Sequence, residues 1–182
     1  MADGDAPGAA LRDLVAEAAG VDGDALAEVV RLAERGDDPG PAARLPALVG
    51  ADDSVVGVVP RADTALARRL LGTGDDDDGS IGRIGGGGAD AETVRLVFTG
   101  RAADRLTGPS GAVIRSVLAE RGIDAYRHDG DSPLGVLLVG GRAVVGLFDE
   151  FGLAALLWSD APAVREWAAA TCRRYLAAAE PA

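Results

Sequence analysis

His128 is the only histidine among 182 residues, and it stands in the stretch YRHDGDSPLG with Asp129 beside it and Asp131 three residues on. An imidazole there can act as a general base, complete a set of oxygen ligands around a divalent cation, contact a ligand at a pocket rim, or order a turn. A cation site would draw on Asp129, Asp131, Asp149 and Glu150, but Asp and Gly in turns usually serve backbone geometry. We therefore assign no metal ligands and no cofactor. A serine hydrolase would pair His128 with Ser110, Ser116, Ser132 or Ser159. The Gly-x-Ser-x-Gly elbow which that chemistry uses is missing, and GPSGA at 108–112 matches it only superficially. Cys172, the lone cysteine, excludes an internal disulfide and lies in a helical pattern, where it reads as a small core residue.

The elements that must position these groups follow from periodicity. SVVGVV reads as a strand and TALARRLLG as a short helix. TVRLVFT, IDAYRH, the two halves of GVLLVGGRAVVGLF and LAALLWS read as strands, with a helix over SGAVIRSVLAERG. Gly140-Gly141 marks a hairpin. The last helix, APAVREWAAATCRRYLAAA, can be capped by Ser159 or Asp160. The expected fold is α/β: a mixed sheet with flanking helices, βαβα and then a β-meander and a closing C-terminal helix, preceded by a short N-terminal helical hairpin. Ligands in open α/β sheets collect beyond the carboxyl ends of strands, which here gathers Arg61, Asp63, Thr99, His128, Asp129 and Asp149 as candidate ligand-binding residues. Trp158, Trp167 and Tyr175 are expected to pack between the last strand and the last helix, with burial in a homodimer as the alternative.

Composition speaks to habitat and exclusions. There are 29 acidic residues against 18 basic ones, a formal net charge of -11, and no lysine. That balance fits the cytoplasm of a halophilic archaeon, where molar salt reduces the Debye length to about 3 Å and screens a self-repelling surface. No apolar run approaches the roughly 20 residues needed to cross a membrane, and the start MADGDAPG lacks the basic region of a secretory signal. A cytoplasmic protein with no membrane partner is expected.

Residues 9–35 read as two helices, the second carrying Leu26, Val29, Val30 and Ala33, with Asp24 as its N-cap and Gly36 as its stop. GDDPGPAARLP, residues 36–46, reads as a linker. This divides the chain into an N-terminal helical element with its linker, 1–44, and an α/β sensor domain, 45–182. The sensor domain carries a flexible Asp/Gly-rich insertion at 72–92, which lacks the Gly-Lys-Ser/Thr ending of a phosphate-binding loop. VAEAAGVDGDALAEVVR, residues 15–31, also fits a helix-turn-helix, which would bring Asp22, Gly23, Asp24 and Ala25 to the DNA groove. Those carboxylates repel phosphate, and residues 36–46 are too short and proline-rich for a wing. Direct DNA binding is accordingly the alternative and not the leading reading.

VRLVFTGRAADRL, IDAYRHDGDSPLGVLLVGGRAVVGLFDEFG and WSDAPAVREWAAATCRRYLAAAEPA together carry a resemblance. The features are a strand ending in Phe-Thr, a helix ending at Arg121-Gly122, and a strand running into His128-Asp129-Gly130. Pro133-Leu134-Gly135 then leads into the next strand, Asp149-Glu150 turns before Gly152, and the final helix closes on Tyr175 and Glu180-Pro181. Over roughly residues 45–182 the chain resembles the regulatory domain of archaeal transcription regulators of the methanogenesis filament regulator type. The resemblance implies a non-catalytic module coupled to transcription that binds a small molecule or a protein partner. An alternating fold with a histidine at a strand end is also similar to phospholipase-D-like hydrolases. Their His-x-Lys chemistry needs a lysine, which this chain lacks. An enzyme of another kind centred on His128 is the remaining alternative.

Overall fold

Runs of Val, Leu and Ala build most of the sheet, and in chain order they alternate with helices. The computed structural model describes residues 6–50, 53–61 and 93–182. Helices α1 (Pro7–Ala19) and α2 (Gly23–Val29) precede β1 (Arg31–Glu34), α3 (Pro41–Leu48) and β2 (Val55–Val59). After them come β3 (Val94–Phe98), α4 (Gly100–Thr107), α5 (Gly111–Glu120), β4 (Ile123–Arg127), β5 (Leu134–Val139), β6 (Arg142–Asp149), β7 (Gly152–Ser159), α6 (Pro162–Ala177) and β8 (Glu180–Pro181). The expected helix TALARRLLG, the candidate Asp63 and the insertion at 72–92 lie outside the described residues.

The strands form one sheet in the order β1-β7-β6-β5-β2-β3-β4-β8. Strands β2, β3 and β4 run parallel, and every other pairing is antiparallel. The fold is thus α/β with a mixed sheet, as the pattern of elements predicts. Gly140 and Gly141, at φ 52 and 90, make the two-residue turn that sets Val139 opposite Arg142 in the β5-β6 hairpin.

Two cores line the faces of the sheet. On one, α3, α4 and α5 contribute Leu45, Ala102, Leu106 and Leu118 against Phe98, Ile123 and Val144. On the other, α1, α2 and α6 place Leu11, Val15, Leu26, Val164, Ala168 and Cys172 against Val58, Val136, Val145 and Leu157. Strand β7 serves both, because alternate side chains point to opposite faces: Leu156 and Trp158 enter the first core, Ala155 and Leu157 the second. Covered on both sides, it reads as the unbroken apolar run LAALLW.

Several sequence expectations need correction. The second N-terminal helix does not continue to Ala33. It ends at Val29, and Arg31–Glu34 pairs with Trp158–Ala155 as the edge strand of the sheet. Pairing with β7 outweighs the helical periodicity, and it buries Ala33. Asp22, not Asp24, caps α2, accepting hydrogen bonds from the backbone N–H groups of Asp24 and Ala25.

The stretch read as a linker contains α3, which starts on Pro41. Proline is tolerated in a first helical turn, where its missing N–H has no partner to lose. Helix α4 was not expected, because Gly100 and Gly108 punctuate a run of only eight residues. Strand β8 was not expected either. The final helix has Ala161 as N-cap without a side-chain cap; Ser159 instead accepts the Ala161 N–H and donates to the carbonyl of Val29. Trp158 packs on the face opposite α6, with the Arg44 guanidinium 5.9 Å from its ring centre, while Trp167 and Tyr175 lie against the second core.

Candidate functional site

Because β2, β3 and β4 are parallel, their carboxyl ends share one edge of the sheet. The antiparallel meander brings the end of β6 and the start of β7 to that edge, and β1 ends there as well. Arg61 follows β2, Thr99 follows β3, His128 and Asp129 follow β4, and Asp149 closes β6. Along this edge Asp149 and His128 are separated by β5, β2 and β3, so four strand spacings, about 19 Å, lie between their strands.

His128 is held in a turn. Its backbone N–H donates to the carbonyl of Phe98 at 2.9 Å, and its Nδ1 accepts the N–H of Gly130 at 2.9 Å. The ring meets Tyr175 of α6 edge to face at 5.0 Å between centres. With Nδ1 engaged as an acceptor, the neutral ring carries its proton on Nε2. Asp129 is almost fully exposed and lies 4.0 Å from Arg127, which also pairs with Glu180 at 3.5 Å. Thr99 is fully buried, and its hydroxyl has no hydrogen-bond partner; its backbone N–H donates to Val59 and its carbonyl accepts from Ala102 and Ala103 at the start of α4.

Arg61 and Asp149 are brought into contact. The Arg61 Nη1 donates to the Asp149 carbonyl at 2.6 Å. The Asp149 carboxylate is gripped by both terminal nitrogens of Arg35, at 2.7 and 2.8 Å, and also accepts the Phe151 N–H at 2.8 Å. The Arg35 fork, helped by the Phe151 N–H, holds the Asp149 carboxyl down at about 2, and the same pairing raises the Arg35 guanidinium above its ordinary value. Next to this pair opens a cleft of about 280 Å³. Arg61, Arg101, Arg105, Phe148, Glu150 and Phe151 line it together with Asp149.

Sequence reasoning placed Arg61 and Asp149 together but missed Arg35, Arg101, Arg105 and both phenylalanines. The i, i+4 spacing of Arg101 and Arg105 directly after a strand was the available signal; Arg35 carried none. The alternative DNA-contacting positions Asp22, Gly23, Asp24 and Ala25 form the first turn of a seven-residue helix, where the Asp22 side chain is engaged in capping. Cys172 is buried in the second core near the carbonyls of Val56 and Val136, and burial pushes its thiol up to about 11. Among the described residues no cluster of three or more His, Cys, Asp or Glu side chains could hold a metal ion, and no helix is long and apolar enough to cross a membrane.

No curated protein sequence matches the chain. Two solved structures share its fold at 14% identity. One is TrmBL2, described as an archaeal chromatin protein with a novel mode of DNA binding, with a TM-score of 0.53 over 86% of this chain and 55% of its own. The chain therefore spans about half the length of that relative. The other is Nuc from Salmonella typhimurium, a phospholipase D family member, with a TM-score of 0.57 over 84% of this chain and 97% of its own. Within the longer stretch whose motifs carried the resemblance, residues 88–178 match the family profile of the methanogenesis regulatory protein FilR1, middle domain, and the chain belongs to that family.

Proposed function

We propose that this chain is a transcription-regulator-type protein of a haloarchaeal cytoplasm, whose α/β domain binds a small ligand at the strand-end edge and performs no chemistry on it. One observation carries the reading: in a member of a regulatory family, the edge where α/β sheets collect ligands holds an open cleft beside the Arg35–Asp149 pair. That pair joins the end of β1 to the β6-β7 turn, so occupancy of the cleft bears directly on the contact between the N-terminal segment and the meander. The ligand-binding residues on this reading are Arg61 and Asp149, while Thr99, fully buried at the start of α4, stays out of reach of the ligand. His128 orders the turn after β4, four strands along the same edge.

The absence of catalysis is supported by the residue set. The phospholipase D neighbour shares the fold alone, the chain has no lysine, and its one histidine is engaged by Gly130 and Tyr175. Thermal unfolding in multimolar KCl against a panel of intracellular metabolites and a promoter-sized duplex tests the proposal, because whatever binds the native state raises its midpoint. A metabolite-dependent rise supports it. A rise with duplex alone moves the function to nucleic acid, and no rise with any metabolite removes the ligand-binding reading.

A further inference from the structure

The charges around the cleft run against those of the molecule. The chain carries a formal charge of -11, yet Arg61, Arg101 and Arg105 meet at one opening and none of them belongs to an ion pair among the described residues. Two carboxylates line the same cleft. Asp149 is already neutralised by Arg35, which leaves Glu150 against three guanidinium groups.

Helix α4 leaves β3 at this edge, with the Asp131 carboxylate lying against Gly100 at its start. Its first turn contains Arg101 and no acidic residue, the reverse of what helix stability favours. Phe151, 77% exposed, lines the same cleft together with half-buried Phe148. An aromatic ring of that exposure gains nothing from the core, and the Arg35 guanidinium, 5.7 Å from its centre, shields one side only.

From these observations, and resting on the ligand-binding reading above, we infer that the cleft takes an organic anion. Its phosphoryl or carboxylate group is held by Arg101 and Arg105 together with Arg61, and its apolar or aromatic part lies against Phe148 and Phe151. Guanidinium forks match both head groups, so the shared chemistry is a planar or tetrahedral oxyanion next to a ring. The site binds through charge and stacking and transfers no group.

The test uses the full chain in molar KCl and follows the thermal midpoint against phenyl phosphate, benzoate, phenol and inorganic phosphate. The expected result is a concentration-dependent rise with phenyl phosphate, benzoate or both, at concentrations at least tenfold lower than are needed for phenol or inorganic phosphate. Whichever of the first two acts at the lower concentration identifies the head group. The double variant Arg101→Ala/Arg105→Ala, altered at two exposed positions, should keep its unliganded midpoint and lose the rise. A rise with phenol equal to that with phenyl phosphate, or a rise undiminished in the double variant, overturns the anion assignment. If neutral metabolites raise the midpoint while all of these anions fail, the anion inference falls and the ligand-binding reading stands. If nothing raises it, both fall.

Discussion

Arg35 and Asp149 stand 114 residues apart in sequence, yet their side chains meet through two parallel hydrogen bonds of 2.7 and 2.8 Å. The bidentate pair fastens the end of the edge strand β1 to the turn between β6 and β7, beside the cleft.

Asp149→Asn should make this contact visible through pH. The folded carboxyl titrates at about 2, below its ordinary 3.8, so its contribution is present above pH 3.8 and is lost as pH falls through about 2. Both partners are substantially solvent-exposed, which keeps the effect small: a fall in thermal midpoint of about 1–3 °C at neutral pH, shrinking as KCl is raised. Melting curves of the two proteins should converge near pH 2; a difference that persists there shows that the carboxylate charge is not its source.

His128→Ala should destabilise the protein by about 1–2 kcal/mol, through loss of the acceptor for the Gly130 N–H and of the edge-to-face contact with Tyr175. His128→Asn should recover part of that loss, because an amide oxygen can accept the same N–H two residues on. Denaturant unfolding separates this from a recognition role: an alanine variant of unchanged stability that no longer responds to a bound metabolite would place His128 in the pocket instead.

Leu26→Ala should cost about 2–5 kcal/mol, since Leu26 is fully buried in the core beneath α1 and α6. Removing residues 1–35 takes away Leu11, Val15 and Leu26 together with the partner strand of β7. Circular dichroism melts of the shortened chain should lose cooperativity. Cooperative unfolding at the original midpoint would establish that the N-terminal helices are a separate element.

Cys172 should resist thiol reagents at pH 8 in the native protein and react after unfolding. Burial raises its thiol to about 11, so the neutral form is favoured in the folded state, and the associated stability is complete below about 9 and lost as pH rises through 11. Labelling in the native state at the rate of a free thiol would contradict this placement.

The parts of the molecule legible in the sequence are those whose neighbours are close along the chain. The β5-β6 hairpin announces itself through Gly140-Gly141, and the doubly covered β7 through its unbroken apolar run. β1 was invisible because what makes it a strand is Ala155 and its neighbours, more than a hundred residues later, while its own residues continue a helical period. Helix α3 was hidden by prolines that read as a linker, although Pro41 occupies the one place in a helix that suits it. The same asymmetry governs the site. The strand-end rule found Arg61 and Asp149, which touch, but it also gathered Thr99 and His128, which share the edge at a distance. Arg35 reaches Asp149, and Arg101 the cleft, from elements that local pattern did not reveal.

Both margins of the sheet end in stubs. At one, β1 offers four residues and begins with an exposed Arg31; at the other, β8 offers Glu180 and Pro181, and proline has no N–H to extend a ladder. A long open strand favours polymerisation, and among the described residues neither margin presents one. Self-association by strand addition at these two described margins is thereby discouraged.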